Sequence, residues 1–368
     1  MMKKNDFSCE CIVIGGGIIG LAVAAALSQK GIEVIVLEAE DLTIQHASSH
    51  NSEVIHSGIY YQANSLKAKL CIEGNHLLYS HCKKLGIDYK KVGKFIAVDH
   101  FKEIHTLEKL LLNAENNGVE EIFIIEEKDL LKIEPFLIAK LGLFSGTTGI
   151  IDSHAFAISL EAAIEQLGSH IITGSPVING VQSGKRWNLE IGGLSPCIVH
   201  CDLVINAAGF NAIKLAQKFG IKDLPDPIFV KGHYYKYHAK NPFKHLIYPL
   251  PHKHGLGIHT STDMANTLRF GPDAEIIKKP NYMFSSNKKR AEKFSESISI
   301  YFRGFNQDLL EQDFCGVRVR LKEDHNSSDF SILFPEHHGL DGLVNLAGIE
   351  SPGLTASLAL ANYVADRL

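Results

Sequence analysis

The stretch Cys9–Glu38, CECIVIGGGIIGLAVAAALSQKGIEVIVLE, decides the fold. Ile12, Val13 and Ile14 form a short apolar, β-branched run suited to a strand buried on both faces. Gly15, Gly17 and Gly20 follow in a G-x-G-x-x-G array that runs straight into a helical pattern. Gly15 permits a tight turn, Gly17 lets a pyrophosphate approach the backbone, and Gly20 lets helix and strand pack closely. The helix N-terminus offers free N–H groups and the positive end of its dipole to phosphates. Ala24 and Leu27 mark its sheet-facing side, and Gly31 stands where a helix C-cap belongs. Val34–Leu37 form the next strand, which ends in Glu38, about 20 residues after the glycines, where an acid can bond ribose hydroxyls. A Gly-rich turn by itself is a weak signal. Here strand, glycines, helix, cap, strand and acid agree in order, and an ordinary βαβ turn would leave Glu38 without a purpose.

The composition frames this unit. At 368 residues the chain is long for one core, so two lobes are expected. Hydrophobic content of 45% and charged content of 21% are those of a folded protein. A net charge of −4, with no basic block, argues against nucleic acid as a partner. The apolar run Ile12–Leu27 is too short to cross a bilayer, and no other is long enough. The seven cysteines, Cys9, Cys11, Cys71, Cys82, Cys197, Cys201 and Cys315, are odd in number and irregular in spacing, as expected of reduced cytoplasmic thiols. Cys197, His200 and Cys201 lack a second ligand pair at zinc spacing, so no metal is expected.

After Glu38 a Ser-, His- and Asn-rich segment reads as a loop returning over the bound dinucleotide, followed by a short strand or turn carrying His56, Ser57, Gly58, Tyr60 and Tyr61. Helical spacing predicts helices over Ser65–Leu85, Phe101–Asn117 and Glu127–Ile133, with strands at Phe95–Val98 and Ile122–Ile125. A helix over Ser153–Leu167, with Asp152 or Ser153 as its cap, precedes a strand at His170–Thr173. Val181–Ile191 and Ser195–Cys201 read as antiparallel strands. Leu203–Ile205 is a buried strand closed by Asn206-Ala207-Ala208-Gly209, small residues that suit backbone lying close to a ligand. From Pro225 to Gln312 short strands rich in Tyr, His and Phe (VKGHYYKYH, HLIYPLP, GLGIHTS, TLRFGP) predict an antiparallel second lobe suited to a substrate cavity. Lys288–Phe302 is helical. The ending GVRVRL, SILFPE and LVNLAGIESPGLTASLALANYVADRL is two strands, a loop and a helix, with Gly348–Gly353 as a second glycine turn feeding a helix.

With these motifs in place the chain resembles the D-amino-acid-oxidase-type flavoproteins, in the N-terminal fingerprint, the NAAG turn, the GVR strand and the SPGLTAS helix start. That group includes glycine and sarcosine oxidases, glycerol-3-phosphate dehydrogenase and L-2-hydroxyglutarate oxidase. HNSEVIHSGIYYQANSLKAKLCIEG (His50–Gly74) is most similar to the L-2-hydroxyglutarate oxidase/dehydrogenase branch, and TTGIIDSHAFA also matches it. The resemblance implies an α/β fold: a Rossmann-like FAD-binding domain over residues 1–80, 145–222 and 313–368, and a mostly antiparallel α+β substrate domain over 81–144 and 223–312. It implies FAD held by Gly15, Gly17, Ile18, Ile19, Gly20 and Glu38, by Ser49, His50, Asn51 and Ser52, and by Val177, Ala207 and Gly209. It adds Gly348, Ser351, Gly353, Leu354 and Thr355, where a helix N-terminus faces the flavin.

The implied reaction is oxidation of a 2-hydroxy acid, L-2-hydroxyglutarate first, to the 2-keto acid by hydride transfer to flavin. Arg318 matches the family's carboxylate-binding arginine. Arg320, two residues on, shares its strand face and is expected to hold a second carboxylate. His56 and His259 are the base candidates among 19 histidines. Tyr60 and Tyr248 are expected to line the cavity, although core packing explains them equally well. His50 lines up with a position of covalent flavin attachment in some relatives, but a non-covalent cofactor is expected. The acceptor is oxygen or a quinone, and the location cytoplasmic, with peripheral association at the inner face of a membrane left open. An amine or amino-acid oxidase of the same fold and a non-catalytic flavin-binding protein are the alternatives.

Overall fold

The computed structural model describes residues 6–251, 256–285, 287–322 and 329–368. The chain forms two compact units: one from residues up to Ser49, Ser153–Phe229 and Val319–Leu368, the other from His50–Asp152 and Val230–Arg318.

The first unit is built on parallel strands. Asp6–Ile14 lies between Val34–Leu37 and Cys197–Asn206, with Ile14 opposite Leu37 on one side and Asn206 on the other. His170–Ile172 extends the sheet beyond Val34–Leu37, and Leu343–Ala347 pairs with Cys197–Asn206, setting Asn345 opposite Asn206. Ile14, Leu37, Asn206 and Asn345 thus end near one sheet edge, where doubly wound folds bind ligands. The helix Ile18–Gln29 buries nearly all its faces, Ile18, Leu21, Val23, Ala24 and Leu27 among them, because the C-terminal helix Gly353–Ala365 and the helix Ser153–Gln166 both pack on it. This all-round burial explains the unbroken apolar sequence. Among the described residues no helix is long and apolar enough to cross a membrane.

The second unit holds three sheets. One runs Leu246–Pro249, Lys94–Val98, Leu141–Ser145, Ile122–Glu126 in that order. A second has His259–Thr262 beside Leu268–Gly271, which pairs with Pro227–Tyr237; Glu275–Ile277 and Leu310–Leu321 also pair with Pro227–Tyr237. A small third sheet joins Val54–Ile55, Gly149–Ile151 and Tyr89–Lys90.

The structure departs from the sequence expectations in places. The strand expected over Val181–Ile191 is a hairpin, Val177–Ser183 and Arg186–Ile191, turned at Gly184 with φ +63°. Leu141–Ser145 and Gly149–Ile151 are strands the pattern did not reveal, each short and buried. Of the expected strand GLGIHTS, Gly255 lies outside the described residues and His259–Thr262 is the observed strand. The chain enters the second unit at His50, well before the expected boundary at residue 80. The reason is the helix Leu66–Leu85. Capped by Ser65, it bonds through Asn75 and Tyr79 to the Thr147 carbonyl at 3.0 and 3.1 Å and so belongs with the second unit's core.

Trp187 is the chain's only tryptophan. It is fully buried in the first unit, donates to the Asp341 carbonyl at 2.9 Å and packs on Phe219. Its emission should therefore be blue-shifted and should report unfolding of that unit. Trp187→Ala should cost about 3–5 kcal/mol by denaturant titration followed by circular dichroism. A loss under about 1 kcal/mol would contradict this packing.

Candidate active site

Cofactor side. Gly15 adopts φ +108°, open to glycine alone, and a Cβ on Gly20 would stand 2.0 Å from the Gly15 carbonyl oxygen. These two glycines are demanded by the fold. Gly17 is not: it is extended (φ −80°, ψ 172°), and a Cβ there would meet only Ser48 Oγ, at 3.0 Å. The Ile18 N–H donates to Ser48 Oγ at 3.0 Å, and the helix has no acidic side chain in its first turn. Ile19 follows on that turn. Glu38 accepts from the N–H groups of Gly16 at 2.6 Å and Glu40 at 2.9 Å, which fixes its carboxylate at the mouth of the glycine turn. Val177 opens the outer hairpin. Asn206 donates to Asn345 Oδ1 at 2.7 Å and to the Ala212 carbonyl at 2.9 Å, and its own oxygen accepts from Ala208 N–H at 3.3 Å. This buried pair shapes the turn that carries Ala207 and Gly209. Gly348 turns with φ +66° ahead of Ser351, and Gly353, Leu354 and Thr355 begin the last helix, again with no acid in its first turn.

Substrate side. The other candidates, Arg320 excepted, lie in the second unit. His56, Gly58 and Tyr60 sit on a loop clamped by amide donors. Asn75 donates to the His56 carbonyl at 3.0 Å, Asn113 to Ile59 at 2.7 Å and Tyr61 at 3.0 Å, and Asn117 to Gly58 at 3.2 Å and Tyr61 at 2.9 Å. His259 is 3% exposed and its ring stacks on Tyr248, centroids 3.8 Å apart. Its Nδ1 lies 2.7 Å from the Gly257 carbonyl, which can only accept. Nδ1 therefore carries the proton, and Nε2 presents its lone pair. Burial, and then the positive charges of Lys94 and Arg318, hold His56 well below the usual imidazole range. Burial holds His259 down to about 3, the Gly257 bond opposing, with Arg318 and Lys94 adding to the fall. Both imidazoles are neutral at neutral pH. Arg318 is bonded to the hydroxyl of buried Tyr234, which also bonds Ser52 and stacks on Phe314. His50 packs its ring on Tyr282, and Asn51 caps the Glu53 N–H at 2.8 Å. The expected cofactor run 49–52 is thus divided: Ser49 belongs to the first unit and His50, Asn51 and Ser52 to the second.

Arg320 departs from expectation. Its Nε lies 3.1 Å from Oε1 of Glu350, a carboxylate only 6% exposed, in the first unit. Its charge is already matched by a buried anion, which weakens its case as a second carboxylate receptor.

The family model for FAD dependent oxidoreductases (DAO) matches residues 10–367. The chain belongs to this family. It is 34% identical to the mitochondrial L-2-hydroxyglutarate dehydrogenase of Arabidopsis thaliana over 97% of this chain and 83% of that one. It is 32% identical to the L-2-hydroxyglutarate dehydrogenase of Indibacter alkaliphilus, over 97% of this chain and 98% of the relative. Among solved structures it resembles the FAD-bound L-alpha-glycerophosphate oxidase of Mycoplasma pneumoniae (TM-score 0.87, 25% identity, 98% and 94% of the two chains). It also shares the fold of glycine oxidase from Geobacillus kaustophilus (TM-score 0.81, 17% identity, 98% and 93% covered).

FAD is the family's cofactor, and the first unit of this FAD-dependent oxidoreductase fits it. The room over Gly17, which the fold itself does not need, suits a diphosphate. Glu38 would take the ribose hydroxyls, and the two acid-free helix N-termini would face anionic parts of FAD. Sequence reasoning missed Ser48, Tyr234 and Lys94. The last left a signal: a lysine heading the apolar run KFIAV. Lys94 is 1% exposed, and its Nζ lies 4.8 Å from the ring centroids of both Tyr60 and Tyr248. Burial pushes its pKa down to about 7, opposed by the neighbouring Cys71 thiol.

Two predictions follow from these glycines and this lysine. Gly17→Ala should leave the apoprotein's melting temperature within about a degree but lose flavin, whereas Gly20→Ala should lower both, read by thermal scan and by bound flavin absorbance. Lys94→Met should raise stability. The folded pKa of about 7 lies below the unfolded value of 10.5, so the buried charge destabilises fully below pH 7. That cost disappears as pH climbs towards 10.5, because the unfolded chain then binds the extra proton. The gain from Lys94→Met should be on the order of a few kcal/mol at pH 6–7 and small at pH 10. A gain that does not shrink with rising pH would contradict a buried ammonium.

Proposed function

We propose that this flavoprotein oxidises L-2-hydroxyglutarate to the corresponding 2-keto acid. The observation that carries the reading is the buried cluster of two neutral histidines beside Arg318, in a chain up to 34% identical to L-2-hydroxyglutarate dehydrogenases. FAD, when bound, accepts the hydride that leaves C2. The protein's own residues do the rest. Arg318 binds the C1 carboxylate, its planar fork oriented by the bond to Tyr234. His259 Nε2 takes the hydroxyl proton as the C2–H bond breaks, and the Gly257 carbonyl keeps Nδ1 protonated so that the base cannot turn to the wrong tautomer. His56 lies in the same field of cations and shapes the pocket wall with Tyr60. Electrons leave to a quinone or to oxygen, and the relatives' designation as dehydrogenases favours the quinone. Seven free thiols among the described residues suit a reducing, cytoplasmic setting, where peripheral contact with a membrane would bring the quinone within reach.

The cations also set the pH dependence. An arriving carboxylate offsets Arg318 and Lys94, so the histidines become better bases when substrate binds. The acid limb of kcat should therefore lie at higher pH than that of kcat/KM, and kcat/KM should show no loss from imidazole protonation between pH 5 and 8. A kcat/KM that falls as pH drops through a pKa near 6.5, the ordinary imidazole value, would remove the neutral-histidine argument.

Anaerobic L-2-hydroxyglutarate should bleach the flavin band. Bleaching by glycine or sarcosine, and not by the hydroxy diacid, would overturn the reading. Arg318→Ala should lower kcat/KM roughly 30- to several-thousand-fold, the loss of a desolvated charged bond of about 2–5 kcal/mol, with flavin content unchanged. An Arg318→Ala protein that reduces flavin at the wild-type rate would show that the carboxylate is held elsewhere.

A further inference from the structure

Lys94 is an anomaly in its own strand. In Lys94–Val98, Phe95 and Ala97 face one aromatic core, while Ile96 and Val98 face another that includes Ile59, Leu246 and Tyr248. By alternation Lys94 belongs to this second face. Its strand partners there are Leu246 and Ser145. An ordinary core would place an apolar side chain at that position. Instead an amine is enclosed to 1% exposure between two tyrosine rings, and among the described residues no carboxylate pairs with it and no acceptor takes its N–H groups. The other candidate cations are already occupied: Arg320 by Glu350, and Lys231 by Asn281 and the Met283 carbonyl.

The hydroxyls around it are in the same condition. Tyr60 and Tyr248 oxygens are buried without a hydrogen-bond partner; burial and then Tyr248 raise the Tyr60 pKa, and burial and then Tyr234 raise that of Tyr248. Buried donors without acceptors are rare in native structures and call for an explanation. An ammonium and two phenols close together, all donors and all unsatisfied, are complementary to a carboxylate, which accepts only. Lys94 also acts on the same two histidines as Arg318, so the two cations bracket one place.

We propose that Lys94, with the Tyr60 and Tyr248 hydroxyls, binds the second carboxylate of a hydroxy diacid and so sets the preference for diacids over 2-hydroxy monoacids. This rests on the reading that Arg318 holds the carboxylate beside the reacting carbon. It moves the second-carboxylate role from Arg320 to Lys94.

The test compares L-2-hydroxyglutarate with L-2-hydroxyvalerate, equal in carbon count but lacking the second carboxylate, in anaerobic flavin reduction by wild type and Lys94→Met. The half-saturating concentration of the diacid should rise about 30-fold or more in the variant, and that of the monoacid by less than about 3-fold. Flavin content should hold. An unchanged ratio between the two acids, or an equal loss for both, would overturn the assignment.

A second measurement needs no variant. An amine of low pKa is the one most readily acylated near pH 7, so brief treatment of the holoenzyme with acetic anhydride, followed by peptide mapping, reads Lys94 directly. Glutarate should protect Lys94 from acetylation, and valerate at the same concentration should not. Equal labelling with and without glutarate would overturn the proposal even if Lys94→Met fails to hold flavin. Protection by glutarate in a protein whose flavin L-2-hydroxyglutarate cannot bleach would instead sink the substrate reading and leave the dicarboxylate subsite standing.

Discussion

A lysine kept inside an aromatic and aliphatic core, with no carboxylate paired to it among the described residues, is the constraint around which the second unit's site is built. Removing such a charge from water is costly, and the cost remains in the resting protein because no counter-ion is supplied. It is tolerated because the walls cannot relax around it. Asn75, Asn113 and Asn117 hold the loop from His56 to Tyr61 by its own carbonyls. The Thr260 hydroxyl bonds the Ile247 N–H at 2.6 Å and ties the His259 strand to the Tyr248 strand. The rings that flank Nζ offer their π faces, a partial substitute for an anion. The protonation states of the site follow from the same cause. Histidines enclosed beside fixed cations stay neutral, and a neutral imidazole is the form that can accept a proton.

The first unit solves the opposite problem, with backbone rather than side-chain charge. Two helices begin beside glycine turns, after Gly17 and after Pro352, and neither has an acidic residue in its first turn. The Ile18 N–H meets Ser48, a neutral oxygen, and the Gly353 N–H meets the Glu350 carbonyl, so neither of these bonds brings an anion to the helix start. The glycines divide by purpose. Gly15 and Gly20 are required because the helix start and the strand end nearly touch, while Gly17 leaves room that the protein itself does not use. A motif that reads as three equivalent letters contains two structural demands and one position that the fold itself leaves open.

That distinction marks what was legible in the sequence. The βαβ unit was readable because strand, turn, helix and acid are contiguous and each has its own local signal. The helix Leu66–Leu85 was readable by spacing, yet its allegiance to the second unit was not, since that depends on Asn75 and Tyr79 reaching Thr147, a contact distant in sequence. The hairpin within Val177–Ile191 was hidden because only Gly184 interrupts an otherwise continuous strand pattern. Asn206 and Asn345 could not be linked before the parallel register set them side by side.

The arginine pair shows the limit most clearly. Alternation along GVRVRL predicts residues of one strand that share a direction, but direction does not reveal what waits at the end of the side chain. Arg320 meets Glu350, supplied from the turn before the last helix, and that ion pair ties the strand to the segment that carries Gly348 and Gly353. Lys94 presents the reverse case. The sequence shows it only as a lysine heading an apolar run, and the packing adds that no carboxylate pairs with it among the described residues. A cation paired with a buried glutamate has found its anion within the fold. One enclosed by phenyl rings and unsatisfied hydroxyls has no such partner among the described residues, which is the ground for proposing that its anion is a ligand.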